Sequence, residues 1–248
     1  MQFRNSAIAK RTSWLIATSI LVPVLGVAMA ASPASAAPTC PASGGHCYML
    51  ANFGPLPSPT GFHGWEDKLY AQCLSVSNPS ANFDDVETWM SVSGGSNWIE
   101  AGINYGNPEG ASENFFWADV RPGYGYYQHM DTTDTVNPAN LYTFNIYQAS
   151  TTSYHLTVGP WNGLSSPWPT NQRFALLQAG SETTNGATAA SIFVRTRDLS
   201  YYDVSNTLHS GWTNGVYATG TSSTPSTWGS ITTLTANSFY QYDTVSSC

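Results

Sequence analysis

Beyond Thr88 the chain is a succession of short runs of aromatic and β-branched residues, and none of these runs has helical periodicity. Glycine, asparagine, proline and serine separate the runs where tight turns form. This pattern is typical of strands, because alternating side chains let each strand bury one face and expose the other. We therefore predict an all-β fold, an antiparallel β-sandwich or a barrel.

Nine strands are predicted, and their short connections are typical of a barrel or of a sandwich, for which we expect the jelly-roll or concanavalin-like type. The predicted strands are Thr88–Val92, Asn97–Tyr105, Glu113–Arg121, Gly125–Met130, Leu141–Gln148, Ser153–Val158, Arg173–Ala179, Ala189–Arg197 and Ser238–Thr244.

The chain divides into three parts by composition. Residues 1–36 combine basic residues, an apolar run and a small-residue cleavage site, which predicts a secretory signal peptide and an extracellular location. Residues 37–80 are rich in proline and glycine and are predicted to be an irregular N-terminal segment with disulfides. Residues 81–248 are predicted to form the sandwich domain.

The four cysteines indicate disulfide bonds, because an even number in a secreted chain is usually paired. Three lie near the predicted mature N-terminus and one is the last residue: Cys40, Cys47, Cys73 and Cys248. We expect a disulfide-stapled fold in which one bridge ties the C-terminus to the N-terminal region. Three pairings are possible, and the sequence does not choose among them.

Charge excludes several classes of partner. Only five of the eight basic residues lie beyond residue 36, whereas all fifteen acidic residues do. So acidic a chain lacks the basic surface needed to bind nucleic acid or an anionic membrane. Few lysines and arginines also leave few ion pairs to lose when carboxylates are protonated, which suits an acidic exterior. We expect a monomer.

One carboxylate lies inside an otherwise apolar run, Trp98-Ile99-Glu100-Ala101-Gly102. An acid flanked by tryptophan and isoleucine needs a hydrogen-bonded partner or a raised pKa, and such acids are common at functional sites. The segment Leu176-Leu177-Gln178-Ala179-Gly180-Ser181-Glu182 repeats the arrangement and ends in Glu182. Two acids from distant strands could together perform acid–base hydrolysis.

The order of three segments resembles that of the neprosin-type glutamic peptidases. These segments are Trp-Ile-Glu-Ala-Gly, an aromatic strand that ends in an acid and Arg-Pro-Gly, and Leu-Leu-Gln-Ala-Gly-Ser-Glu. The chain is more distantly similar to the eqolisin-type glutamic peptidases, whose first segment has glutamine in place of glutamate. Both families are antiparallel β-sandwiches that work at acid pH, and the match covers roughly residues 88–190. The Ala-rich start and Ser/Thr/Gly-rich body look like those of actinobacterial secreted proteins.

The resemblance implies a metal-independent, acid-active endopeptidase without cofactors, acting on extracellular polypeptides. It makes Glu100 the first catalytic carboxyl and Glu182 the second. Gln178 is a rival for the second role, because the eqolisin register could place it there. Two departures stand in the late segment, where the neprosin-type Trp and second Gly are Ala179 and Ser181 here.

Alternation also assigns side chains to the two faces of the sheet. One face is expected to be apolar and directed to the core, and the other to carry aromatic and polar residues that line a substrate groove. The predicted substrate-binding residues are Trp98, Trp117, Asp119, Arg121, Tyr127, His129 and Gln178.

Other interpretations stay open. Glu100 could form a buried ion pair with Arg121 or Arg195, while Glu182 is a loop acid. The same face could belong to a non-catalytic carbohydrate-binding sandwich. A glycoside hydrolase could use the Glu pair, with carboxyls ~5–5.5 Å apart for retention or ~6.5–9.5 Å for inversion. No metal-binding motif is present, so no metal is expected.

Overall fold

A computed structural model of the 248-residue chain describes residues 46–54, 61–76, 78–169, 172–184, 191–212, 229–235 and 238–243. All of them belong to one unit, Ala36–Cys248. The predicted signal peptide, Cys40 and Cys248 lie outside the described residues, so secretion and disulfide pairing stay predictions. Across these ranges there is no helix long and apolar enough to cross a membrane.

Fourteen strands account for most of the described residues. They are β1 (His46–Phe53), β2 (Phe62–Ser75), β3 (Phe83–Ser91), β4 (Trp98–Gly106), β5 (Gly110–Arg121), β6 (Gly125–Asp131), β7 (Tyr142–Ser150), β8 (Ser153–Val158), β9 (Trp161–Pro167), β10 (Leu176–Thr184), β11 (Ser191–Asp203), β12 (Leu208–Ser210), β13 (Gly229–Thr235) and β14 (Ser238–Asp243).

The strands form two antiparallel sheets. The first has the order β1-β10-β3-β4-β5-β6, and the second has the order β13-β14-β11-β2-β7-β8-β9, with β12 paired to β11. The predicted all-β antiparallel sandwich is confirmed, and each of the nine predicted strands corresponds to an observed strand.

The core lies between the inner faces of the two sheets. Alternate residues of β4 and β5 point into it, as the pleat of a strand requires. Among its largest fully buried side chains are Trp65, Trp212, Tyr154, Phe62, Phe115 and Phe144. A well-packed core of this size holds the first sheet flat against the second, so the outer face of the first sheet is free to form a site.

Two polar contacts cross between the sheets. Asp119 on β5 is fully buried, binds Arg121 with 3.0 Å between Oδ1 and Nε, and accepts a hydrogen bond from the Ser166 hydroxyl on β9. Asp67 on β2 is also fully buried and accepts a hydrogen bond of 2.5 Å from the Thr88 hydroxyl on β3. Buried polar groups are tolerated when they are paired in this way.

The described part of the predicted irregular segment, residues 46–54 and 61–76, instead forms two strands. The interpretation of this region as irregular was wrong, because β2 lies between β11 and β7 in the second sheet and β1 forms an edge of the first. Proline and glycine between the strands hid them, since Pro55, Pro57 and Pro59 follow β1 without entering it.

The buried carboxyl of Asp67 makes the fold more stable in acid. Burial raises the pKa of Asp67 from 3.8 to about 8, so between these values the folded state binds one proton more than the unfolded state. The free energy of unfolding therefore falls as pH rises, by up to about 1.4 kcal/mol per pH unit from this group. Asp67→Asn should flatten the fall, as measured by urea unfolding at about pH 4.5 and about pH 7.5.

Glu109→Gln serves as the control for that experiment, because Glu109 is exposed in the turn between β4 and β5. It should leave the pH dependence as it is in the wild type. An Asp67→Asn variant that loses stability with pH as steeply as the wild type would show that Asp67 is ionised in the folded protein.

Candidate functional site

A cleft of about 680 Å³ opens on the outer face of the six-stranded sheet. Strands β1, β10, β3, β4, β5 and β6 all contribute side chains to it. Four of these side chains are acids, Asp85, Glu87, Glu100 and Glu182. The aromatic residues that line it are Tyr48, Phe83, Trp89, Trp98, Phe116 and Tyr126.

Strand register brings the acids to the cleft. Residues opposite each other on paired antiparallel strands point to the same face. Glu182 on β10 lies opposite Asp85 on β3, and Glu100 on β4 lies opposite Trp89 on β3. Asp85, Glu87 and Trp89 alternate along β3 and therefore share this face. The two acids predicted as catalytic, Glu100 and Glu182, thus line one cleft.

The four carboxyl groups form one cluster. Carboxylate oxygens of Asp85, Glu87 and Glu182 lie within 4.8 Å of one another. The Glu87 carboxyl interacts electrostatically with both Glu100 and Glu182, and its position on β3 places it between the two. Asp85 accepts a hydrogen bond of 3.1 Å from the backbone N–H of Glu182. The two acids contributed by distant strands are therefore connected through β3.

Burial and mutual repulsion favour protonation of this cluster. Burial and the charge of Glu182 raise the pKa of Glu100 well above its usual range. Burial and the charges of Asp85 and Glu100 do the same for the pKa of Glu87. Like charges held close together in a poorly solvated site cannot all ionise. The cleft therefore carries fewer negative charges than it has carboxyls.

Glu182 has its own polar neighbours on β1. The His46 Nδ1 atom contacts a carboxylate oxygen of Glu182, and the hydrogen bond with Glu182 raises the pKa of His46. Burial and the charge of Glu182 raise the pKa of the Tyr48 hydroxyl. The contact with Glu182 therefore favours the protonated form of His46.

Gln178 lines the cleft beside Trp89 and is held at both ends of its amide. The indole N–H of Trp89 donates a hydrogen bond of 2.6 Å to Oε1 of Gln178, and Nε2 of Gln178 donates one of 2.7 Å to Oδ1 of Asn52. These contacts fix its position. Because they already use one acceptor and one donor, Gln178 is less available for proton transfer than Glu182.

Trp98 and Tyr126 form an aromatic pair at the mouth of the cleft. Their ring centroids are 5.8 Å apart, and Tyr126 is 58% exposed. An aromatic ring that exposes one face to solvent can pack against a peptide side chain or against a sugar ring. The sequence-based expectation that Trp98 and Gln178 lie in the groove agrees with their position in the cleft.

The other five predicted substrate-binding residues lie on the opposite face of the sheet. They are Trp117, Asp119, Arg121, Tyr127 and His129. Glu100 pairs with Ala118 across β4 and β5, so Trp117, which pairs with Ala101, points to the other side. Placing these five residues in the same groove as Glu100 was therefore wrong. The aromatic and polar alternation of β5 identifies two faces, but only the register of β4 against β5 says which one Glu100 shares.

The interpretation of the two acids as structural groups is also contradicted by their positions. Arg121 is paired with Asp119 on the inner face, and Arg195 lies on β11 in the second sheet. No ion pair among the described residues includes Glu100. Glu182 lies within β10 and is 8% exposed, so it is not a loop acid.

Among the cleft residues that the sequence did not predict are His46, Tyr48, Asp85, Glu87 and Trp89. A signal for three of them was present. Asp85, Glu87 and Trp89 alternate with Asp84, Val86 and Thr88 in a chain with only 9% charged residues. Acids repeated at a spacing of two predict a polar strand face. The predicted strand began at Thr88 and so excluded both acids.

The carboxylate oxygens of three of the cleft acids also have a mutual spacing at which a metal ion could be held. Asp85, Glu87 and Glu182 are three buried oxygen ligands at a suitable mutual spacing. Hard cations such as Ca²⁺ prefer oxygen ligands, although they usually take six to eight of them. Protons and a cation are alternative ways to neutralise the same negative charge.

Comparison with solved structures identifies a shared fold. A scytalido-glutamic peptidase in complex with a peptide-based transition-state analogue superposes with a TM-score of 0.53 at 8% identity, covering 81% of this chain and 100% of that chain. SCP-B, a member of the eqolisin family of peptidases in complex with the tripeptide Ala-Ile-His, gives 0.52 at 7% identity, covering 81% and 98%. At such identities the likeness establishes the fold alone.

Comparison of the sequence with known proteins identifies no relative. No known protein family matches the chain, and no curated protein does.

The contact between His46 and Glu182 gives a direct test of the cleft. Glu182→Gln should lower the pKa of His46 toward 6.5, because the carboxylate that stabilises the imidazolium is removed. The titration is followed by NMR of the imidazole ring. Glu109→Gln is the matched control and should leave His46 unchanged. A pKa of His46 that is the same in wild type and Glu182→Gln would show that the two side chains are apart.

Proposed function

We propose that the chain is a secreted, acid-active hydrolase, a glutamic-type endopeptidase that uses Glu100 and Glu182. The observation that carries the proposal is their placement, because two acids from distant strands share one cleft and are linked through Glu87. The neprosin-type resemblance of the sequence is part of the same proposal.

The shape and fold of the site support a polypeptide substrate. The cleft crosses six strands, which gives it the length to hold an extended chain. The two peptidase structures described above share the fold at a TM-score above 0.5, and one of them is bound to a tripeptide. We propose an extracellular polypeptide as the substrate and a monomer as the working form.

The surroundings of the two acids assign their roles. Glu182 is assigned as the general base, because His46, whose pKa the contact raises, can stabilise a negative charge on it. The raised pKa of Glu100 makes it the protonated member, so it is the general acid. Pairs of acids whose environments differ in this way commonly divide the two roles of acid–base catalysis.

Hydrolysis then proceeds in two steps. Glu182 takes a proton from a water molecule, the water oxygen bonds to the peptide carbonyl carbon, and Glu100 gives its proton to the carbonyl oxygen. Next the carbon–nitrogen bond breaks, and the amine nitrogen takes the proton held by Glu182. One hydroxyl of the intermediate returns a proton to Glu100. Both carboxyls end as they began, and each transfer contributes ~10²–10⁴-fold in rate.

The aromatic mouth of the cleft favours one alternative, a carbohydrate ligand. Trp98 and Tyr126 present rings on which a sugar could stack, and the same acids could bind hydroxyls or cleave a glycosidic bond. Incubation with β-glucan and with casein separates the two classes by product.

Replacing either acid should abolish proteolysis. Glu100→Gln and Glu182→Gln each keep the size of the side chain and remove its proton transfer, so kcat on casein at acid pH should fall by ~10²–10⁴-fold. Release of acid-soluble peptides is the measurement. Glu66→Gln is the control, because Glu66 lies on β2 in the second sheet and accepts a hydrogen bond from Asn145.

Glu66→Gln should keep wild-type activity, and EDTA should not inhibit the wild type. Retention of full proteolysis by Glu100→Gln would remove the proposal. Cleavage of β-glucan without cleavage of casein would replace it by the glycosidase alternative.

A further inference from the structure

Glu87 occupies the centre of the cleft floor, although no sequence motif identifies it. It is 1% exposed, and its strand neighbours on both sides are glycines, Gly102 on β4 and Gly180 on β10. A Cβ atom at Gly102 would lie 2.9 Å from the Cβ of Glu87. Gly102 therefore leaves room beside Glu87 that a larger residue at that position would fill.

The two proposed catalytic acids flank Glu87 diagonally. Glu100 lies opposite Trp89, two residues after Glu87 on β3, and Glu182 lies opposite Asp85, two residues before it. Diagonal neighbours on one sheet face are within reach of long side chains. Glu87 can therefore contact Glu100 on one side and Glu182 on the other.

The hydrogen-bonding atoms around Glu87 are those of other carboxyls. No N–H or hydroxyl of the described residues donates to either of its carboxyl oxygens. A buried carboxylate without a donor is costly, whereas a protonated carboxyl can donate to a neighbouring carboxylate. The ionisable groups that face Glu87 are Asp85, Glu100 and Glu182, with Tyr48 and Tyr126 farther out.

We propose that Glu87 is a positioning residue that keeps its proton and donates it in a hydrogen bond to whichever of Glu182 and Glu100 carries the negative charge. The inference rests on the proposed function. Before the reaction the charge is on Glu182, and Glu87 donates to it. After water attack Glu182 holds a proton and Glu100 is the carboxylate, so Glu87 donates to Glu100 instead. No proton leaves Glu87.

This exchange would lower the barrier to attack. A donor that meets the charge as it forms on Glu100 stabilises the transition state more than the substrate complex. The pKa values have the matching directions. The hydrogen bond from Glu87 lowers the pKa of Glu100 against the larger effect of burial, and the hydrogen bond with Glu182 raises the pKa of Glu87.

Two variants at position 87 test the proposal. Glu87→Ala removes the donor, whereas Glu87→Gln retains an N–H that can donate to either carboxylate. With casein at acid pH, Glu87→Ala should lower kcat by ~10²-fold and change KM little, and Glu87→Gln should restore most of the activity. Glu66→Ala is the matched control.

A second readout does not depend on activity. The pKa of Glu100, followed by NMR of ¹³C-labelled glutamate carboxyls, should rise by about one unit in Glu87→Ala and return to the wild-type value in Glu87→Gln. An unchanged pKa of Glu100 in a folded Glu87→Ala variant would overturn the proposal. If the wild type has no proteolytic activity but the pKa of Glu100 shifts as expected in Glu87→Ala, the proposed function is overturned and the hydrogen bond from Glu87 is supported.

The same variants distinguish a proton from a cation. The melting temperature of the wild type should be insensitive to added Ca²⁺ at neutral pH. If added Ca²⁺ raises the melting temperature of the wild type but not that of Glu87→Ala, the cluster is a cation site and the proposed hydrogen bond is overturned.

Discussion

Repulsion among carboxyls on one sheet face governs this cleft. Asp85, Glu87, Glu100 and Glu182 face each other, and among the described residues the cluster has one ion-pair partner, His46. Ionising all four groups in so little water is unfavourable, and protons shared between carboxyls relieve the repulsion. Acid conditions therefore favour the arrangement that places one protonated and one ionised carboxyl in the cleft.

The sandwich is what makes this concentration of acids possible. The inner face of the first sheet is anchored by buried aromatic side chains and by the Asp119–Ser166 and Asp67–Thr88 contacts, so its stability does not depend on the outer face. Gly102 then lets β4 lie close to Glu87, and Gly180 lets β10 lie close to Leu50 on β1. A fold that buries its apolar surface on one side can tolerate an unfavourable cluster of acids on the other.

The sequence predicted the fold class and the two outermost acids of the cluster, because alternation and an acid in an apolar run are local signals. The cross-strand pairing of Glu100 with Ala118 depends on register, and no local pattern reveals it, so Trp117 and Asp119 were placed on the wrong face. Glu87 was missed because its role comes from neighbours on other strands. The prolines after β1 hid a strand that carries His46 and Tyr48.

A crystal structure at acid pH with a bound peptide whose scissile bond is replaced by a tetrahedral hydroxyl mimic would test the account most directly. The mimic should lie in the outer cleft with its hydroxyl within hydrogen-bond distance of both Glu100 and Glu182, above Glu87. A peptide bound on the face of Trp117 and Tyr127, or a mimic that contacts neither glutamate, would contradict it.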